Sequence, residues 1–341
     1  MLSQPDIRPA SLAVAREHAR DFLLAAQRED GTWHDFFLPA GESNDWVTAY
    51  VAGALATTGD AEEEAAARRG WNHLRSAQKL GGGWGYNAAT PPDADSTIWA
   101  LRLAHAIGEG ASGEAAHGYE FLASHVRQGE GIATYASQSA PRDYVGLPAT
   151  VDFRGWVRPH VCVTAAAAAL PGPVGEAARA SLPAMQAADG HWPSYWWFDP
   201  GYASAEAVDA LGPGEAADAA IAFARTRIDV LLMMDEPPAF ALAQCIRILA
   251  RCGRHVPDAA IAMLATGQAG NGSWPASARL RVPRPDRIAP EEAGWRQWTG
   301  LSQAPQSLDD LLAMTFTITS LDHRRAFTTA TVLRALDAVA P

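Results

Sequence analysis

The sequence predicts an all-α fold: a single (α/α)6 toroid in which an inner ring of helices is sheathed by an outer ring. Three observations carry that expectation. Ala and Leu dominate the apolar residues, and strand-like runs are few. The pattern Q-x3-G-x-W occurs four times, at Gln27-Gly31-Trp33, Gln78-Gly82-Trp84, Gln186-Gly190-Trp192 and Gln268-Gly272-Trp274. Along the chain, segments apolar on one side alternate with segments apolar nearly all round.

The first one-sided segment sets the type. Leu12, Ala15, Ala19, Phe22, Leu23 and Ala26 recur at spacings of three and four, while Arg16, Glu17, Arg20 and Asp21 fill the other face. Outer helices of this kind are expected at 61–78, 113–127, 175–186, 215–228 and 256–267. Between them lie 46–56, 97–107, 161–170, 203–211, 239–250 and 328–339, with at most two charges each. A helix without a polar face is buried on every side, so these are expected to form the inner ring. A degenerate repeat is expected at Gln128, Gly131 and Tyr135.

Connection lengths orient the ring. Links from inner to outer helices are short and rich in breakers, as in Thr58-Gly59-Asp60, Pro171-Gly172-Pro173 and Gly212-Pro213-Gly214. Most links from outer to inner helices are long. They carry the repeat tryptophans, a loop at 131–159 and an insertion near 275–326, and they must gather where the inner helices begin. Arg279-Leu280-Arg281-Val282 and Phe316-Thr317-Ile318-Thr319 alternate like strands, so the insertion is expected to be a lid built partly as a hairpin. The whole of 1–341 is expected to be one domain, although the length permits two.

A net charge of -11 and a pI near 5.3 argue against nucleic acid as a partner. Cys162, Cys245 and Cys252 form no C-x-x-C pair and no even-numbered framework, which fits a reducing compartment. No apolar leader opens the sequence and no stretch is long enough to span a bilayer, so a cytoplasmic protein without a membrane span is expected. A homo-oligomer is compatible with all of this.

The chemistry is expected at Asp93-Ala94-Asp95-Ser96-Thr97, where two carboxylates stand at the entrance of the second inner helix. Repeated Q-x3-G-x-W in an alternating helical toroid resembles the squalene–hopene cyclase and prenyltransferase-like superfamily. Class II terpene cyclases of that superfamily carry D-x-D-D-T at this place, and the middle Asp protonates an alkene or epoxide. Asp93, Asp95 and Thr97 match, while Ser96 stands where the last Asp would be. The resemblance implies that Asp95 is the acid, Asp93 its tuner, and an apolar, isoprenoid-like molecule the substrate, with no cofactor. Such enzymes usually place the site between two helical domains; here the ring interior itself, or a partner, would have to supply it.

The physical logic runs the same way. An alkene is a feeble base, so its acid must be a neutral carboxyl, and burial or a second carboxylate favours the neutral form. The helix N-terminus opposes this, by ~0.3–1 kcal/mol. The plain alternative is that Asp93 or Asp95 caps the helix. Trp46, Trp99, Trp156 and the run Tyr195-Trp196-Trp197-Phe198 suit cation–π stabilisation of carbocations, or ordinary packing. His160 is a candidate to orient Asp95 by a hydrogen bond, or more simply a satisfied, half-buried histidine. His160 and Cys162 lack a third ligand, so zinc is not expected, and no D-D-x-x-D motif supports magnesium-dependent ionisation of a diphosphate. Arg279, Arg281, Arg284 and Arg287 are candidate anion holders or a solvated loop. Two other readings stay open: a carbohydrate-active lyase or hydrolase with paired carboxylates, and a non-catalytic toroid binding a lipid or partner.

Overall fold

The computed structural model describes residues 9–57, 59–289, 294–298 and 317–340. Its central helices are α2 (Asp45–Leu55), α4 (Ala94–Ala106), α7 (Val161–Ala167), α9 (Gly201–Leu211), α11 (Ala239–Arg251) and α13 (Ala326–Val339). Each packs on the next, and α13 returns to α2, so the contacts close on themselves. Against them lie α1 (Pro9–Ala26), α3 (Ala61–Ala77), α5 (Gly113–Ala123), α8 (Gly172–Ser181), α10 (Glu215–Leu232) and α12 (Asp258–Thr266). The arrangement is helix-rich and consistent with a helical toroid. No helix among the described residues is long and apolar enough to cross a membrane.

Burial follows the two sequence patterns. Every residue of α11 from Ala239 to Leu249 is buried, whereas α3 buries only Glu63, Ala66, Ala67, Gly70, Trp71 and Leu74, one stripe at helical spacing. Two expected outer helices end early. The 113–127 segment stops at Ala123 and resumes as the strand β3 (Val126–Arg127), paired with β4 (Gly131–Ile132). The 175–186 segment tightens into a 3-10 turn at Leu182–Met185, where Pro183 has no N–H to give the α-helical ladder.

The repeats are joints between neighbouring flanking helices. In each, the glutamine amide donates to its own glycine carbonyl and to a carbonyl in the first turns of the next flanking helix. Gln27 reaches Gly31 and Ala66 at 3.0 and 2.9 Å, and Gln78 reaches Gly82 and Glu114 at 2.7 and 2.8 Å. Gln186 reaches Gly190 and Ala216, both at 2.8 Å. Gln268, at the end of α12, reaches Gly272 at 2.9 Å and Ala15 of α1 at 2.8 Å, joining the last repeat to the first helix. Each tryptophan is wholly buried and its indole N–H donates to a carbonyl ten residues back, as Trp192 does to Leu182 at 2.8 Å. The glycine is obligatory for two reasons: at Gly272, φ is +85° and a Cβ would sit 2.1 Å from the His18 carbonyl oxygen.

The degenerate repeat is built differently from expectation. Ile132, not Tyr135, takes the tryptophan's place, its N–H donating to Thr164 Oγ1 at 2.9 Å as Trp33 N–H donates to Thr48. Tyr135 is thereby freed for the pocket described below.

Before α2, β1 (Asp35–Leu38) pairs antiparallel with β2 (Gly41–Ser43), and α6 (Ser139–Val145) lies within the 131–159 loop. In the insertion, β5 (Arg279–Val282) pairs antiparallel with β7 (Thr317–Leu321), with Arg281 opposite Thr319, and β6 (Trp295–Gln297) lies parallel on the other side of β7. The strand expected at 279–282 and the 317–319 part of the second therefore pair. Phe316 and the rest of the insertion at 290–293 and 299–315 lie outside the described residues.

Candidate active site

The first turn of α4 consumes three side chains of the Asp93–Thr97 motif and leaves one over. Asp93 N–H donates to the Trp84 carbonyl at 2.9 Å, which sets the entry of the helix. Asp93 is the N-cap: Oδ1 accepts the Ser96 N–H and Oδ2 the Ser96 hydroxyl, both at 2.8 Å. Thr97 Oγ1 accepts the Trp84 N–H at 3.0 Å and donates to the Asp93 carbonyl at 2.7 Å. Asp95 takes no part. Its buried Oδ1 has no hydrogen-bond partner among the described residues, and the side chain borders a large pocket.

The electrostatics separate the pair. Burial pushes Asp93 up to about 6, against the two donors of Ser96. Burial also pushes Asp95 well above the usual carboxylate range, and neighbouring Asp93 adds to the rise. Arg102 pulls Asp95 down and Glu206 pushes it up. The Trp46 indole N–H also pulls it down, although Nε1 meets no acceptor at hydrogen-bond geometry.

The pocket holds about 670 Å³ and is mostly apolar. Trp46, Tyr86, Tyr135, Phe153, Trp156 and Trp196 supply its aromatic wall. The described part of the insertion borders it from Leu280 to Asp286 and at Ile318. Arg281 is buried there and donates to the Tyr195 carbonyl at 2.9 Å and to the Ser194 carbonyl. Arg284 pairs with Asp286 at 3.0 Å. Three bonds clasp the 131–159 loop and the Tyr195 segment to the insertion: Gly155 N–H to Pro285 O at 2.7 Å, Trp156 Nε1–H to Pro283 O at 3.0 Å, and the Tyr195 hydroxyl to Arg287 O at 2.8 Å.

Trp46, Trp156 and Trp196 therefore meet Asp93 and Asp95 at the pocket, and four other expected lining residues do not. The chain bends at Tyr195, Trp196 and Phe198 around a single bridge from Trp197 to Leu280, so the four side chains diverge. Trp197 turns into the core against Tyr202 and Phe240, with ring centroids 4.4 and 5.2 Å away. Phe198 is exposed and packs edge-on to Trp295 at 5.3 Å, outside the pocket. Trp99 lies deeper than Asp95, its indole N–H donating to the Tyr202 hydroxyl at 3.0 Å. His160 does not reach Asp95. Its Nε2 faces the Gly155 carbonyl at 2.8 Å and so carries the proton, which leaves Nδ1 to accept the Thr134 hydroxyl at 2.6 Å. Burial pushes His160 down to about 3, so the ring is neutral.

Tyr86, Thr134, Tyr135 and Phe153 border the pocket without having been singled out as lining residues. Among the described residues no three His, Cys, Asp or Glu side chains converge as a metal site.

Below the pocket the interior is layered, because several central helices repeat one register, i, i+4, i+7. It reads Asp95, Trp99, Arg102 on α4, Tyr202, Glu206, Asp209 on α9, Phe240, Gln244, Arg247 on α11, and Phe327, Thr331, Arg334 on α13. Aromatic rings fill the middle, with Tyr50 stacked on Phe327 at 3.7 Å and edge-on to Trp99 at 4.6 Å. The lowest layer is ionic. Glu206 accepts from Arg102, Arg334 and Arg247 at 2.6, 2.9 and 2.8 Å, and Arg247 also binds Asp209. Despite complete burial, the three guanidiniums hold Glu206 well below the usual range. Arg102 lies 4.0 Å over the Trp99 ring.

The central helices thus open on an apolar, aromatic pocket bordered by a carboxyl with one oxygen that no described residue engages. No protein-family model and no curated protein matches the chain. Solved structures do. The chain is similar to the type II terpene cyclase MstE from Scytonema in complex with geranylgeranyl dihydroxybenzoate, its substrate, at 34% identity and a TM-score of 0.88 over 98% of each chain. A protein from Actinoplanes is 35% identical, with a TM-score of 0.85 over 97% of this chain and 100% of that one. ent-Copalyl diphosphate synthase from Streptomyces platensis shares the fold, at 15% identity and a TM-score of 0.53, over 99% of this chain and 69% of that one. The chain belongs to the type II terpene cyclases, and is an enzyme.

Proposed function

We propose that the chain is a single-domain (α/α)6 toroid, six inner and six outer helices, that cyclises a linear isoprenoid by proton transfer from Asp95. The observation that carries the reading is Asp95 itself, a carboxyl that borders an aromatic, mostly apolar pocket and has a buried oxygen without a partner among the described residues. The Asp95 O–H bond breaks toward an alkene carbon and its electron pair stays on the carboxylate. The alkene π pair forms the new C–H bond, leaving a carbocation that neighbouring double bonds attack to close rings. A C–H next to the last cation gives its proton to water at the pocket mouth, and its electron pair becomes the closing double bond. Trp46, Trp156 and Trp196 turn aromatic surface to the cation, Asp93 disfavours early ionisation of Asp95, and the strands of the insertion serve as the lid.

MstE is described with geranylgeranyl dihydroxybenzoate as substrate and merosterolic acid A as product, so a geranylgeranyl arene is the first probe for this chain. The pocket volume suits a ligand of that size. Linear isoprenoids with and without a terminal diphosphate complete the screen, read by mass spectrometry. Asp95→Asn keeps the shape of the first turn but has no proton to give. It should preserve the melting temperature and cost 10²–10⁴-fold or so in turnover, the usual scale of general-acid loss. Asp93→Asn still caps the helix and should cost less. Turnover of an accepted substrate by Asp95→Asn at the wild-type rate ends this reading.

A further inference from the structure

Proton transfer leaves a carboxylate at Asp95, in a place that disfavours one. The groups in electrostatic reach of Asp95 are Asp93 and Arg102 on its own helix, Cys162 on α7, and Tyr202 and Glu206 on α9, with the Trp46 indole on α2. Arg102 is the one cation among them. It stands seven residues beyond Asp95 on the same helix face, about 10 Å along the axis. The guanidinium is fixed from two sides, lying 4.0 Å over Trp99 and bound to Glu206 at 2.6 Å. Glu206 is itself locked by Arg247 and Arg334.

We propose that Arg102 is a positioning residue for the reaction: held under Trp99 by Glu206, it stabilises the Asp95 carboxylate left when the proton departs. This rests on the reading of Asp95 as the acid. The geometry explains two otherwise costly features, a half-buried guanidinium stacked beneath an aromatic floor and a fully buried glutamate with three arginines. Three guanidiniums set against Glu206 and Asp209 leave the ionic layer one positive charge in excess. That excess lies on the side of Asp95 away from the pocket, where it favours the anion without facing the carbocation.

The test reads the ionisation of Asp95 directly and needs no substrate. The protonated-carboxyl stretch is followed by infrared titration on the full chain, and the Asp95 band is assigned by its loss in Asp95→Asn. A unit charge about 10 Å away in a protein interior moves a titration midpoint by roughly one pH unit. Arg102→Met should move the Asp95 midpoint up by about that much, and Arg102→Lys should return it most of the way. Glu206→Gln should move it down, a reversal of sign that loosened packing does not produce, and it carries the test if Arg102→Met does not fold. An unmoved midpoint in a folded Arg102→Met or Glu206→Gln, or an Asp95 that does not titrate in the wild type, overturns the proposal. Turnover of geranylgeranyl dihydroxybenzoate by Asp95→Asn separates the two claims. Full activity with shifted midpoints defeats the acid reading and the reaction role built on it while leaving the coupling of Arg102 to Asp95, and an inactive Asp95→Asn with unmoved midpoints defeats the role of Arg102 alone.

Discussion

Ser96 occupies the position at which the related motif carries a third carboxylate, and its hydroxyl does what a carboxylate cannot, donating to Asp93. Asp93 is thereby committed to the helix start while Asp95 stays uncommitted. Spacing alone made both aspartates visible; it could not say which would cap, because either can. The same limit explains Phe198 and Trp197, since an aromatic run in a bending segment sends its side chains in different directions and sequence does not say which. Titration offers a test at this scale. Asp93 is raised to about 6, so between about 4 and 6 the folded chain holds a proton the unfolded chain has lost, and stability from Asp93 grows as pH falls. His160 is lowered to about 3, so the folded chain lacks a proton the unfolded chain binds below about 6.5, and stability is lost as pH falls. Between pH 6.5 and 4.5 the two trends oppose. In thermal melts across that range, Asp93→Asn should lose more stability on acidification than the wild type, and His160→Gln less.

The elements were the most legible part, because period and repeat both have direct physical causes. All-round apolar segments became central helices within a few residues of their expected limits, and the insertion strands paired. The misses have local reasons: Pro183 cut an α-helix short, and the degenerate repeat substituted Ile132 for a tryptophan. The glutamine joints also make a prediction. Trp192→Ala removes a fully buried indole and should cost about 3–5 kcal/mol. Gln268→Ala strips two carbonyls of their donor and should cost about 1–3 kcal/mol. Both should lower the denaturation midpoint and leave the Asp95 titration unchanged, since neither residue borders the pocket. A shift in that titration without loss of stability would contradict a structural role.

At the scale of the whole molecule, the closing of the helix cycle could be anticipated from the alternation of segments, but the layering inside it could not. Arg102, Glu206, Arg247 and Arg334 appear in sequence as single charges on apolar helices, far apart and unremarked. Only when the helices stand side by side do the i+4 and i+7 positions fall at common depths and become one ion cluster. A charge on an otherwise apolar helix is thus the signal to have followed.

The aromatic layer has a consequence for solvent. Tyr50, Trp99, Tyr202 and Phe327 are 0%, 3%, 0% and 0% exposed, and they separate the pocket from the ionic end of the interior. In the cyclisation proposed above, these buried rings would hold water off a carbocation from the ionic end and leave the side of the clasped loops as its route of entry. On that proposal, whether a product ends as an alkene or an alcohol depends on the roof and not on the floor. Gly155→Ala would push a methyl group to within 2.1 Å of the Arg287 carbonyl oxygen and loosen the clasp. In ¹⁸O-labelled water it should raise the labelled alcohol fraction, whereas Trp99→Phe, which keeps the floor filled, should leave the ratio of alcohol to alkene where it was. That outcome would make the roof this enzyme's valve for water and the floor its seal.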